Sequence, residues 1–135
     1  MLEFFNKKKP QKTTTQVIFQ NTSCDTSRRL DTNNGADHAI SSWEEVEDAL
    51  YEMFSDPDEF VILTVGDPCW NIRFIQAAQI KTGGITLELG LESPDGTRLV
   101  ERTCSQKECL AIFREFYSTA NVPQREAYKP VEFFT

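Results

Sequence analysis

Four cysteines, one histidine and a dense run of carboxylates are the side chains here with the potential for chemistry. His38 lies in a polar stretch rich in Asn, Asp, Ser and Thr. A general base needs a held geometry and an orienting partner, and the neighbourhood of His38 supplies neither, so it reads as surface. Cys104 and Cys109 stand five apart at the start of a helical pattern. A helix N-terminus lowers a thiol pKa, which makes Cys109 the best candidate for a reactive sulfur. Cys109 also falls on the apolar stripe of that helix, where cysteine behaves as a small hydrophobe, and the buried reading is adopted. The cysteines lack Cys-x-x-Cys pairs and nearby histidines, which argues against zinc. Gly83-Gly84 has no Lys-Ser/Thr sequel and reads as a hairpin turn, not a phosphate loop. No catalytic residue, metal ligand or cofactor is assigned.

The carboxylates are the strongest signal. Between Arg29 and Arg73 there is no lysine or arginine, yet eleven Asp and Glu residues occur there. Glu44, Glu45, Asp48 and Glu52 fall on one arc of a helical wheel, and Asp56 and Asp58 follow at once. Paired acids for hydrolysis would need a burial pattern that sets two of them apart, and none is marked. The chemistry on offer is a negative field that attracts a basic partner at a salt-dependent rate. Glu44, Glu45, Asp48, Glu52, Asp56 and Asp58 are the candidate partner-binding residues.

The elements that must position these residues are legible in outline. Ser42-Trp43-Glu44-Glu45 fits a capping box. Trp43, Val46, Leu50, Met53 and Phe54 then recur at helical spacing, and Asp56-Pro57-Asp58 stops the helix. Glu59 to Val65 reads as a central strand. Trp70, Ile72 and Phe74 alternate, which places Trp70 in the core. Ile85, Leu87, Leu89 and Leu91 alternate with polar residues. Ser93-Pro94-Asp95-Gly96 turns the chain, and Thr97 to Thr103 returns as its partner. Ser105-Gln106-Lys107-Glu108 is a second capping box, opening a helix with Cys109, Ile112, Phe113, Phe116, Tyr117 and Ala120 on its apolar stripe. The aromatic tail from Tyr128 to Phe134 is expected to lie across the core or pair at a sheet edge. Short turns between strands imply an antiparallel meander. The predicted fold class is α+β: two layers, a mostly antiparallel four-stranded meander with two helices packed on one face. Glu88 and Glu92 should point to the other face, with Arg73 if the strand registers agree.

The chain of 135 residues has the size of one domain. Residues 1–40 read as a polar, partly disordered segment with one short strand over 16–20, and 41–135 as a single α+β domain. The net charge is −7, with the acidic excess in the second part. A body of that sign repels phosphate backbones, which excludes nucleic acid as the expected partner. No run is long enough to span a membrane. The Met1–Phe5 segment is too short for stable membrane attachment. Without a secretory pattern at the N-terminus, the even cysteine count is weak evidence for bridges, and a reduced, cytoplasmic protein is expected.

From Trp43 to Phe133 the chain resembles the immunity proteins of bacterial polymorphic toxins, most nearly the first-named of their large families. The resemblance is carried by the opening helix, by Phe60-Val61-Ile62-Leu63, and by Trp70-Asn71-Ile72-Arg73-Phe74-Ile75-Gln76-Ala77. The closing helix with Ile112-Phe113-Arg114-Glu115-Phe116-Tyr117 and its Val122-Pro123 exit completes it. Similar sequences usually carry Trp beyond that exit, where Tyr128 stands here. The resemblance implies a small non-catalytic protein that neutralises a secreted toxin by binding it. A basic toxin would suit the acidic surface. The alternatives are an acidic chaperone of a secreted effector, which should be a dimer with an apolar groove, or another non-enzymatic bacterial domain. The oligomeric state and the partner's identity are left open.

Overall fold

The computed structural model describes residues 27–131, together with two short strands, β1 (Glu3–Phe4) and β2 (Asn6–Lys7), which pair in parallel with each other. The strand expected over 16–20 lies outside the described residues, as do Phe133 and Phe134.

Seven further strands form one antiparallel sheet: β3 (Arg28–Thr32), β4 (His38–Ile40), β5 (Phe60–Val65), β6 (Ile72–Gln79), β7 (Ile85–Ser93), β8 (Gly96–Cys104) and β9 (Lys129–Pro130). Their order across the sheet is β4-β3-β5-β6-β7-β8-β9. The expected meander is the β5–β8 centre of this larger sheet. The α+β class holds, and the strand count is higher than four.

Strand β3 was hidden for a physical reason. On β3 only Leu30 and Arg28 are buried, so the stretch offers one apolar residue and no periodicity. Arg28 turns inward by donating from Nε to the Tyr117 carbonyl, 3.0 Å away at the end of the second helix. The folded body therefore includes Arg28–Ile40, which the sequence reading placed in the polar segment. Strand β9 is two residues long, pairing Pro130 with Val100 and Lys129 with Glu101, which matches the edge pairing expected of the tail.

Helices α1 (Trp43–Ser55) and α2 (Gln106–Thr119) cover one face of the sheet. Helix α1 buries Trp43, Val46, Ala49, Leu50 and Met53. Helix α2 buries Cys109, Ile112, Phe113 and Phe116. They meet the inward residues of the strands, among them Val61, Leu63, Ile75, Ala77, Leu87 and Leu89, in one core. Helix α2 has a full capping box: Ser105 Oγ accepts from the Glu108 N–H, and Glu108 accepts from the Ser105 N–H. In α1 the box is only half made. Ser42 makes no side-chain cap, and Glu45 reaches back to the Ser41 N–H at 3.0 Å.

Neither α1 nor α2 lies on the opposite sheet face. Phe74, Gly90 and Leu99 sit side by side in register there, with Gln76, Glu88 and Glu101 in the next row. The Phe74 ring lies across Gly90, where a Cβ would overlap it. Arg73 pairs with Glu92 at 3.2 Å, but Phe74, expected to alternate into the core with Ile72, lies on this face: a register irregularity between Ile72 and Phe74 shifts the phase, and Ile75 is buried instead.

Trp70 is a correction. It is 51% exposed, not in the core. Strand β6 begins at Ile72, because Asn71 adopts a left-handed backbone (φ 66) inside a turn closed by its N–H to the Pro68 carbonyl. That residue breaks the alternation assumed to join Trp70 to Ile72.

Candidate functional site: the outer face of the first helix

At 100° per residue, the buried residues of α1 occupy one side, and Glu44, Asp48, Tyr51 and Glu52 share the other. Glu44, Asp48 and Glu52 are exposed, as is Asp58 beyond the helix. Tyr51 sits among them and is 53% exposed. Its ring meets Phe54 edge-on, with centroids 5.9 Å apart and planes at 90°. Phe54 packs against the core, so the exposed ring is held from behind. Beside it an open cleft of about 520 Å³ is lined by Asn34, Tyr51, Glu52, Ser55 and Asp56.

Two of the six predicted carboxylates serve the fold. Glu45 accepts from Ser41 N–H and from Ser42 Oγ, and the Ser41 N–H holds its carboxyl below the ordinary value. Asp56 Oδ1 accepts from the Asp58 N–H at 3.0 Å, fixing the turn that leaves the helix. The structure thus brings Glu44, Asp48 and Glu52 together on one face, and places Asp56 and Asp58 at its C-terminal end. Among the described residues the ion pairs join Arg29 to Asp37, Arg73 to Glu92 and Arg102 to Glu108. None draws on α1, so its outer charge is not neutralised by those arginines.

The neighbouring elements make this face stiff. Trp43 is pinned between the Arg114 guanidinium, 5.2 Å from its ring, and Tyr117 at 6.0 Å. At the far end, the buried Glu59 carboxylate accepts from Asn33 N–H (2.5 Å), Asn34 Nδ2 (2.6 Å) and Phe60 N–H (3.0 Å). It clamps the β3–β4 turn beside the cleft. Gln79 Nε2 donates to the Met53 carbonyl at 2.6 Å, tying the last turn of α1 to β6.

Tyr51 was not singled out by sequence reasoning. The signal was present: it stands three residues after Asp48 and seven after Glu44, which places it on the charged face of a 3.6-residue helix. A large aromatic in that position has no core to enter.

The remaining candidates are not drawn into this site. His38 is exposed on β4, with Nδ1 2.7 Å from the Ala36 carbonyl. Cys104 and Cys109 are buried free thiols. The neighbouring Cys104, and then burial, push the Cys109 thiol up, so it is not the activated sulfur the helix N-terminus suggested. Cys69 is disulfide-bonded, against the expectation of a fully reduced chain. No group of three or more His, Cys, Asp or Glu is placed to hold a metal ion among the described residues. On the helix-free face Glu88 and Glu101 stand directly opposite one another. Burial, then the Glu101 charge, raise the Glu88 pKa.

No helix among the described residues is long and apolar enough to cross a membrane. The search against family models, the curated proteins and the solved structures gave no match for this chain.

Proposed function

We propose that this protein is a non-catalytic binding domain that engages a basic protein partner through the outer face of α1. One observation carries the reading: Tyr51 stands half-exposed among Glu44, Asp48 and Glu52, carboxylates with no ion-pair partner among the described residues. An aromatic anchor ringed by charge has the composition of an interface hot spot. The charge speeds encounter with a cationic surface, and the ring supplies contact area once it is reached. Asp56 and Asp58 extend the field past the helix end. Glu45 contributes charge but is committed to the helix start.

The resemblance to toxin-immunity proteins gives this partner a class, a basic secreted toxin such as a nuclease. A second reading has its own observation. The half-buried Phe60, Ile62, Phe74 and Leu99 on the helix-free face would suit an effector chaperone that dimerises there. Sedimentation separates the two, since that reading requires a dimer.

The direct test is co-expression with the product of the adjacent gene, followed by co-purification and affinity measurement. The variant E44K/D48K/E52K should bind at least tenfold more weakly, with an unchanged circular dichroism spectrum. Y51A should lose a comparable factor with no change in its denaturation midpoint. Wild-type affinity in both variants would remove α1 from the interface.

A further inference from the structure

We propose that Cys104 and Cys109 form a thiol–disulfide exchange site, oxidised to an intramolecular bridge by a low-molecular-weight disulfide. The placement follows from the helix start. Ser105 is the N-cap of α2, so Cys104 precedes the cap and Cys109 is the fourth helical residue. Side chains at those two positions pack against each other across a capping box. Here the two are thiols, both free, both buried, and in side-chain hydrogen-bonding contact.

The surroundings make the pair unequal. Cys104 closes β8 opposite Ile85, two residues after Arg102. The hydrogen bond from Cys109 and the Arg102 guanidinium lower its pKa, against the opposing effect of burial. Cys109 is raised by Cys104 and by burial. Cys104 is therefore the attacking sulfur and Cys109 the resolving one.

A third group points to the same place. Tyr128 is 8% exposed, and its hydroxyl has no hydrogen-bond partner. Burial pushes it up to about 12, and both thiols act on its ionisation, as does Arg102, whose guanidinium lies 5.8 Å from the ring centroid. A buried donor without an acceptor costs stability. The segment that carries Tyr128 is tied to the edge of β8 by the two registered pairs of β9 and by the Val131 N–H to the Leu99 carbonyl, a short contact whose local opening would give an oxidant access.

In the first step the Cys104 thiol loses its proton and its Sγ attacks one sulfur of the disulfide. The S–S bond of the oxidant breaks, and one thiolate leaves and takes up a proton. In the second step Cys109 loses its proton and attacks Cys104 Sγ, releasing the other half as a second thiol. Two protein thiols are oxidised and one disulfide is reduced to two thiols.

The experiment incubates the folded full chain with oxidised glutathione, quenches with acid, alkylates, and reads intact mass and peptide maps. The wild type should lose two hydrogens, mapped to a Cys104–Cys109 bridge that excess reductant reopens. C109S should instead hold one glutathione on Cys104, and C104S should stay largely unmodified at Cys109. Recovery of both Cys104 and Cys109 as alkylated thiols in the treated wild type would overturn the proposal, and this measurement needs no variant to fold. Faster capture on Cys109 in C104S than on Cys104 in C109S would overturn the assigned roles.

Discussion

Glu59 and Glu88 are both carboxylates withdrawn from bulk water, with opposite consequences. Glu59 is buried, and its oxygens are matched by the Asn33, Asn34 and Phe60 N–H groups. Truncation leaves buried donors unpaired, at about 1–3 kcal/mol each. E59A should therefore lose about 2–4 kcal/mol in urea denaturation, whereas E59Q should lose less because it keeps an acceptor. Glu88 faces Glu101 across β7 and β8 with no donor to its carboxylate among the described residues, and its pKa is raised. A raised carboxyl pKa means that the folded state binds the proton more tightly than the unfolded chain does. Stability then falls as pH rises from the ordinary glutamate value through the folded one, and stays lower above it. E88Q should accordingly be more stable than the wild type at pH 7, with the gain gone by about pH 4. A gain of equal size at both values would assign the effect to packing. Glu108, lowered by the Ser105 N–H, acts in the opposite sense: its contribution is present above the ordinary value and is lost as pH falls through the folded one.

At the scale of elements, the two helices illustrate what local sequence decides. Both begin with Ser-x-x-Glu, yet only Ser105 caps its helix with its side chain. The motif requires the chain to enter the helix along a path that aims the hydroxyl at the third N–H, and that path is set by the preceding strand. S105A should cost about 1 kcal/mol, and S42A clearly less, as read from denaturant midpoints. The same contrast explains which elements were legible. The period of 3.6 in α1 and α2 and the period of two in β7 name themselves, because each buries at least three apolar residues on one face. Strand β3 has a single apolar residue facing the core and depends on the Arg28 stem and its bond to the Tyr117 carbonyl. No local pattern can announce a strand made by a partner 89 residues away. Trp70 was misplaced for a related reason. Alternation assumes extended backbone throughout, and Asn71 leaves it.

For the whole molecule, two helices on one side of an antiparallel sheet concentrate the apolar surface in one core and leave α1 with a free outer side. The clustering of acids on that side was readable from spacing alone. Which of them remain available was not, because Glu45 and Asp56 are claimed by backbone N–H groups that the fold brings near. Tyr51 completes the surface, and its position among the acids is what distinguishes a binding face from a solvating one. Salt should therefore weaken partner binding mainly through the association rate. The measurement that reaches the central claim most directly is the hydrogen–deuterium exchange footprint of the complex with the co-purified partner. Binding through α1 predicts added protection over Trp43–Ser55 and the turn at Asp56 to Asp58, with β8 and β9 unchanged. Protection confined to the helix-free sheet face or the β8–β9 edge, with α1 exchanging as in the free protein, would contradict it.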